Sequence, residues 1–108
     1  MEFGEYQIEA RQTAIYPRQI ALAYLGLGLA GEAGEVANLL KKLYRDGDGQ
    51  PTPEQLEALA AEFGDCLWYI AMLCEETGLW LNEVAHGNLD KLAERARKGT
   101  LKGSGDYR

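Results

Sequence analysis

Apolar residues recur at helical spacing along the whole chain, and no alternating run of β-branched residues argues for a strand. Phe3, Tyr6, Ala10 and Thr13 mark a short first helix that should end near Tyr16 and Pro17, because a residue before proline is pushed out of the α region. A long second helix is expected from about Arg18 to Arg45, stopped by Asp46-Gly47-Asp48-Gly49. The third helix has the clearest start: Thr52 caps it, Pro53 takes the first helical position, and Gln55 completes a capping box. It should run to Thr77, with Gly78 as terminator. A fourth helix covers Leu81 to Lys98, with Gly99 just past its end. Residues 1–99 thus read as a single helical domain and residues 100–108 as a Gly-rich, basic, irregular tail. Four helices with short connections predict an all-α fold, an antiparallel four-helix-type bundle. The first helix is short and the second long, so homo-oligomerisation is expected to complete the core.

Two pairs of acidic residues interrupt the apolar stripes. Glu32 and Glu35 lie in the stripe Leu25, Gly28, Glu32, Glu35, Leu39; Glu62 and Asp65 lie in the stripe Ala58, Glu62, Asp65, Tyr69, Met72. Spacing of three residues puts both members of each pair on one side of a helix. They occupy positions where a bundle normally places its core. Four carboxylates converging there would repel one another and lose hydration, unless cations offset them. Few basic residues share those stripes, so a divalent metal is the economical answer, and hard oxygen donors favour Mg2+, with Mn2+ as substitute. The alternative is that Glu32 and Glu35 are solvated and pair with Lys41 and Lys42, while Val36 and Leu40 face the partner helix.

Composition narrows the rest. The chain has 108 residues, 46% of them hydrophobic, as expected for one globular domain. Its formal charge of −6 argues against non-specific binding to long nucleic acid. The segment from Asn88 to Arg108 carries six basic and three acidic residues, a basic end on an acidic body. The beginning of the chain lacks the pattern of a secretory signal, and Glu32 and Glu35 break the most apolar stretch, so no membrane span and a cytoplasmic location are expected. Cys66 and Cys74, if on one helix, stand about 12 Å apart, too far for a disulfide; they read as reduced, packed thiols.

The stretch Gly28-Leu29-Ala30-Gly31-Glu32-Ala33-Gly34-Glu35-Val36, followed by Glu62-Phe63-Gly64-Asp65-Cys66-Leu67-Trp68-Tyr69-Ile70, resembles the paired E-x-x-E and E-x-x-D motif of MazG-like nucleotide pyrophosphohydrolases. The likeness extends to Thr13-Ala14-Ile15-Tyr16, Asn88-Leu89-Asp90-Lys91, Arg95 and the tail Lys102-Gly103-Ser104-Gly105-Asp106, and so covers nearly the whole chain. The resemblance implies a helical bundle forming a homodimer or a dimer of dimers. It also implies that Glu32, Glu35, Glu62 and Asp65 hold Mg2+ while water attacks the α-phosphorus of a nucleotide and releases pyrophosphate. One of Glu32 and Glu35 would act as or orient the general base, and Asn88 and Lys91 would contact phosphate. Substrate choice varies within the family and is not implied.

Asn88, Lys91 and Arg95 fall on one face of the fourth helix, where an amide, an ammonium and a guanidinium suit phosphate. The plainer reading is a polar surface with Asp90 and Glu94 as counter-charges. Arg95 is expected to reach outward, and Lys102 and Arg108 of the tail to close over the same phosphates. Trp68 is a minority candidate for stacking on a base, and Trp80 is expected to pack.

Two other patterns are set aside. Gly26-Leu27-Gly28-Leu29-Ala30-Gly31 matches a dinucleotide-binding signature in letters, but it follows helix rather than strand; its glycines are expected to let helices approach. Glu83-Val84-Ala85-His86 matches one element of a di-iron bundle, which needs two such elements, and the chain has one histidine, expected at the surface. The remaining enzymatic alternatives are hydrolysis of a nucleoside diphosphate or of phosphoribosyl-ATP. The rival of another class is a non-catalytic bundle that binds metal or nucleotide, against which the intact set of four carboxylates argues.

Overall fold

The computed structural model describes residues 1–106. Their regular elements are all helical: α1 (Phe3–Ala10), 3₁₀ turns at Arg11–Thr13 and Arg18–Ile20, α2 (Ala21–Arg45), α3 (Pro53–Thr77) and α4 (Leu81–Lys98). The expected bounds of α3 and α4 hold. The first helix stops earlier than expected, at Ala10, and Arg18–Ile20 is wound as a 3₁₀ turn before α2 proper begins.

Local chemistry accounts for the best-defined ends. At the start of α3, the Gln55 N–H donates to Thr52 Oγ1 at 3.2 Å and the Thr52 N–H donates to Gln55 Oε1 at 2.8 Å, satisfying two donors reciprocally. Gly78 closes the helix at φ 73°, a conformation that costs an L side chain dearly. At the start of α4 no side chain of the helix itself supplies a cap. Gln7 of α1 does so instead. Its Oε1 accepts the Leu81 N–H at 2.7 Å, while its Nε2 donates to Glu75 Oε1 at 2.8 Å and to the Leu79 carbonyl at 3.0 Å. A buried amide satisfied on three sides thus pins α1 to the α3–α4 corner.

The backbone of the fold is the antiparallel α2–α3 hairpin, with Gly28 beside Tyr69 and Glu32 beside Glu62 and Asp65. Its core is thin. Leu25, Ala71 and Met72 are fully buried, with Ala10, Tyr16, Ala21, Cys74 and Leu81 around them. α4 does not lie along the hairpin as the fourth member of a closed bundle: Leu81 and Arg95 are its buried residues, and Val84, Leu89 and Leu92 are exposed. The radius of gyration is 16.6 Å, against about 13 Å for a compact chain of this length. The four-helix-type bundle expected from the sequence is therefore open in the single chain.

The stretch Arg18–Arg45 is, by length and composition, apolar enough to cross a membrane, which corrects the expectation that Glu32 and Glu35 rule this out. That criterion is also met by helices of soluble proteins, and here both carboxylates sit in the middle of the stretch. Cys66 and Cys74 are free thiols, and burial pushes the Cys74 thiol up.

A carboxylate cluster on the hairpin

α2 and α3 bring Glu32, Glu62 and Asp65 together, each offering one carboxylate oxygen, with these atoms all within 4.8 Å of one another. The close approach has a visible cause. A Cβ on Gly28 would stand 2.1 Å from Tyr69 Cε1, so only glycine lets the tyrosine ring lie against α2 one turn from Glu32. The other glycines of α2, Gly26, Gly31 and Gly34, have open space where a Cβ would go. The close-approach role expected of these glycines therefore belongs to Gly28 within this chain.

Three carboxylates so close are electrostatically unfavourable when all are ionised. Hydrogen bonding with Glu62 is the largest cause raising the Glu32 carboxyl above its ordinary value; burial and the charges of Asp65, Glu62 and Glu35 add to it. A proton held on Glu32 and donated to Glu62 thus removes one of the three negative charges and relieves the contact. Glu62 Oε2 is buried with no hydrogen-bond partner, an acceptor left over by the protein's own groups. The surroundings deepen the field. Burial and then Asp65 raise the Tyr6 phenol, and burial followed by Tyr24, Glu32 and Asp65 raises that of Tyr69. Hard oxygen donors, mutual repulsion and one orphaned buried oxygen fit a divalent cation.

Glu35, the fourth carboxylate of the two motifs, is exposed and outside this triad, though near enough to act on Glu32. Three residues at 100° each rotate it about 60° from Glu32, toward solvent.

The predicted phosphate-binding residues Asn88, Lys91 and Arg95 belong to α4. Asn88 is exposed. Lys91 Nζ and Arg95 Nη2 both reach Asp106 Oδ1, at 3.0 and 3.2 Å. The hydrogen bond from Lys91, then that from Arg95, holds the Asp106 carboxyl below its ordinary value. Arg95 does not reach outward as expected: its side chain is 7% exposed, whereas that of Lys91 is 39% exposed. The tail covers it. Lys102 is exposed, and Arg108 lies outside the described residues.

Trp68 is half-buried, not presented as a free stacking face. Its indole N–H is taken by Thr13 Oγ1 at 2.8 Å and by the Ala10 carbonyl at 3.3 Å, and its ring meets Tyr16 and Tyr69 edge to face. Trp80 is 47% exposed, with the Arg11 guanidinium over its ring. His86 and Glu83 are exposed and form no part of the carboxylate cluster. A cleft of about 220 Å³ lies between Arg11, Tyr16, Arg18, Met72, Glu75 and Glu76. It is about 15 Å along α3 from Asp65, and its cations are answered by Glu75 and Glu76. Burial, then the hydrogen bond to Glu76, pushes the Tyr16 phenol there up to about 12.

Sequence reasoning missed Tyr6 and Asp106. Nothing local links Tyr6 to Asp65, since their proximity exists only once α1 has packed on α3. For Asp106 there was a faint signal: Gly103-Ser104-Gly105 is a turn composition placing an acid after a basic helix end.

An all-helical hairpin that gathers three carboxylates could hold a divalent cation, an arrangement compatible with metal-dependent hydrolysis of phosphoanhydrides. Residues 22–100 match the MazG nucleotide pyrophosphohydrolase domain, and the chain belongs to that family, which is divalent-metal dependent. It is also similar to the Gene 37 protein of Mycobacterium phage L5, with 47% identity over 114 residues spanning the whole of both chains. No solved structure matches the chain.

Proposed function

We propose that this nucleotide pyrophosphohydrolase cleaves a (deoxy)nucleoside triphosphate between the α- and β-phosphates, releasing the monophosphate and pyrophosphate, with Mg2+ as its cation and Mn2+ as a substitute. The observation that carries the reading is the triad Glu32, Glu62, Asp65 with its orphaned Glu62 oxygen, in a chain of the MazG family. Those three residues would hold the metal. When bound, a divalent cation supplies positive charge against the phosphates and makes water easier to deprotonate. Glu35, exposed beside the triad, is left to accept the proton as water oxygen bonds to the α-phosphorus and the bond to the bridging oxygen breaks. Lys91 and Arg95 offer an ammonium and a guanidinium to the leaving pyrophosphate, where charge builds.

The exposed apolar residues Leu22, Leu27 and Leu40 of α2 and Phe63 and Ile70 of α3 support a homodimer or dimer of dimers in which a second copy covers the open hairpin. Sedimentation should then show no 11.9 kDa species at micromolar concentration.

The decisive experiment is a panel of canonical and modified nucleoside tri- and diphosphates and phosphoribosyl-ATP, with Mg2+, separating pyrophosphate from orthophosphate. Pyrophosphate from a triphosphate is expected. Orthophosphate alone, turnover confined to diphosphates or phosphoribosyl-ATP, or no turnover with Mg2+ or Mn2+ would overturn the proposal.

A further inference from the structure

Gln7 and Arg95 are polar residues buried among the described residues, and they differ in how well they are satisfied. Gln7 uses its amide on three partners. Arg95 donates from Nη2 to the Gly105 carbonyl at 3.3 Å and to Asp106 Oδ1 at 3.2 Å, while its Nε is buried without a partner. What buries it is the tail. Gly99 turns the chain at φ 74°, the Thr100 N–H returns to the Arg95 carbonyl at 2.9 Å, and Gly105 turns it again at φ 83°. Asp106 is thereby delivered between two cations of α4, with a single oxygen, Oδ1, accepting from both Lys91 and Arg95. The residue that does so is itself 72% exposed, and it is carried on a Gly-Ser-Gly segment.

We propose that residues 100–106 form a latch in which the Asp106 carboxylate occupies the cationic position that a phosphate group of the nucleotide or of pyrophosphate takes. This rests on the reading of Lys91 and Arg95 as phosphate contacts. The exchange follows from charge and geometry. One carboxylate oxygen serves two cations and leaves one guanidinium N–H unsatisfied. A phosphate group carries more charge and three oxygens, and can engage the ammonium and the edge of the guanidinium together. The tethered carboxylate is always present at high local concentration, so it competes with phosphate and weakens its apparent affinity by the fraction of time the latch is closed. It also gives Arg95 an anionic partner when the site is empty of phosphate.

The test is calorimetric binding of magnesium pyrophosphate to the full chain, alongside KM and kcat for the best triphosphate of the panel. Asp106→Asn should bind pyrophosphate about two- to fivefold more tightly, the scale of a partly exposed ion pair. KM should fall in parallel while kcat holds or drops through slower product release. Asp106→Glu, which keeps the charge, should stay near wild type. Lys91→Ala should weaken pyrophosphate binding and shrink the gain from Asp106→Asn in the double variant. If Lys91→Ala weakens binding but Asp106→Asn leaves it unchanged or weakens it too, the latch is overturned and the phosphate site stands, with Asp106 positioning the cations. If Lys91→Ala and Arg95→Lys both leave binding unchanged, the phosphate site itself is overturned, and the latch with it.

Discussion

On the α2–α3 hairpin Glu32, Glu62 and Asp65 face one another as like charges, with one buried oxygen unpaired. Where the tail meets α4, Lys91 and Arg95 also stand close, but Asp106 lies between them. The first cluster is frustrated by itself and is relieved by something the chain does not contain, a proton or a cation. The second is neutralised by the chain's own carboxylate. The difference is one of tethering. Helices α2 and α3 fix their acids on two packed faces, so repulsion is not escaped by moving apart, whereas the tail folds back through Gly99 and Gly105 and sets an opposite charge against the cations.

The contrast is broken most severely at the carboxylates. Glu62→Gln and Asp65→Asn should lower kcat/KM about 100-fold or more, the scale of losing a charge-stabilising group in a transition state, while circular dichroism and the apo melting temperature show a folded protein no less stable than wild type. Near wild-type turnover in both would remove the cluster from the chemistry. Mg2+ or Mn2+ should raise the melting temperature of the wild type, and these variants should blunt the rise.

Next in size are the α4 cations, of which Arg95 is the buried one. Arg95→Ala removes a buried guanidinium and should cost about 1–3 kcal/mol of stability, read as a lower urea midpoint. Lys91→Ala, at a half-exposed position, should leave the midpoint within about 0.5 kcal/mol and act on kcat/KM instead, by roughly 30-fold or more. Equal destabilisation by both would show that the two residues are a structural pair and nothing else.

A third test uses pH. The Glu32 carboxyl is raised above its usual 4.5 in the folded protein. A raised folded value means that folding favours the protonated form. That stabilisation is complete below about 4.5 and is lost as pH rises through the raised folded value. In EDTA the wild type should therefore lose melting temperature relative to Glu32→Gln across that interval, and saturating Mg2+ should abolish the difference. Parallel curves for the two proteins in EDTA would deny that Glu32 holds this proton.

The smallest effects come from the glycines. Gly28→Ala pushes a methyl into the Tyr69 ring and should cost about 1–3 kcal/mol. Gly31→Ala meets open space within the chain and should gain up to about 1 kcal/mol of helix propensity. A loss at Gly31 accompanied by dissociation in sedimentation would instead place that face of α2 against a second copy.

Much of this molecule was legible before any coordinates. The capping box at Thr52 and Gln55, the terminators Gly78 and Gly99, and the 3.6-residue stripes are local features, and local hydrogen bonding and burial decide them. For the same reason the two acidic pairs could be assigned to helices and seen as out of place on apolar stripes. What only the tertiary structure decided involves distant partners. The way α2 faces α3 brought Glu32 to Glu62 and Asp65 and left Glu35 exposed beside them. Packing of α1 set Tyr6 near Asp65, and Gln7 became the cap of a helix more than seventy residues along the chain. The fold-back of the tail buried Arg95 and set Asp106 against Lys91. Spacing along a helix determines which residues share a face, but the neighbours of that face depend on how the helices pack, and packing energies are summed over contacts between residues far apart in the chain.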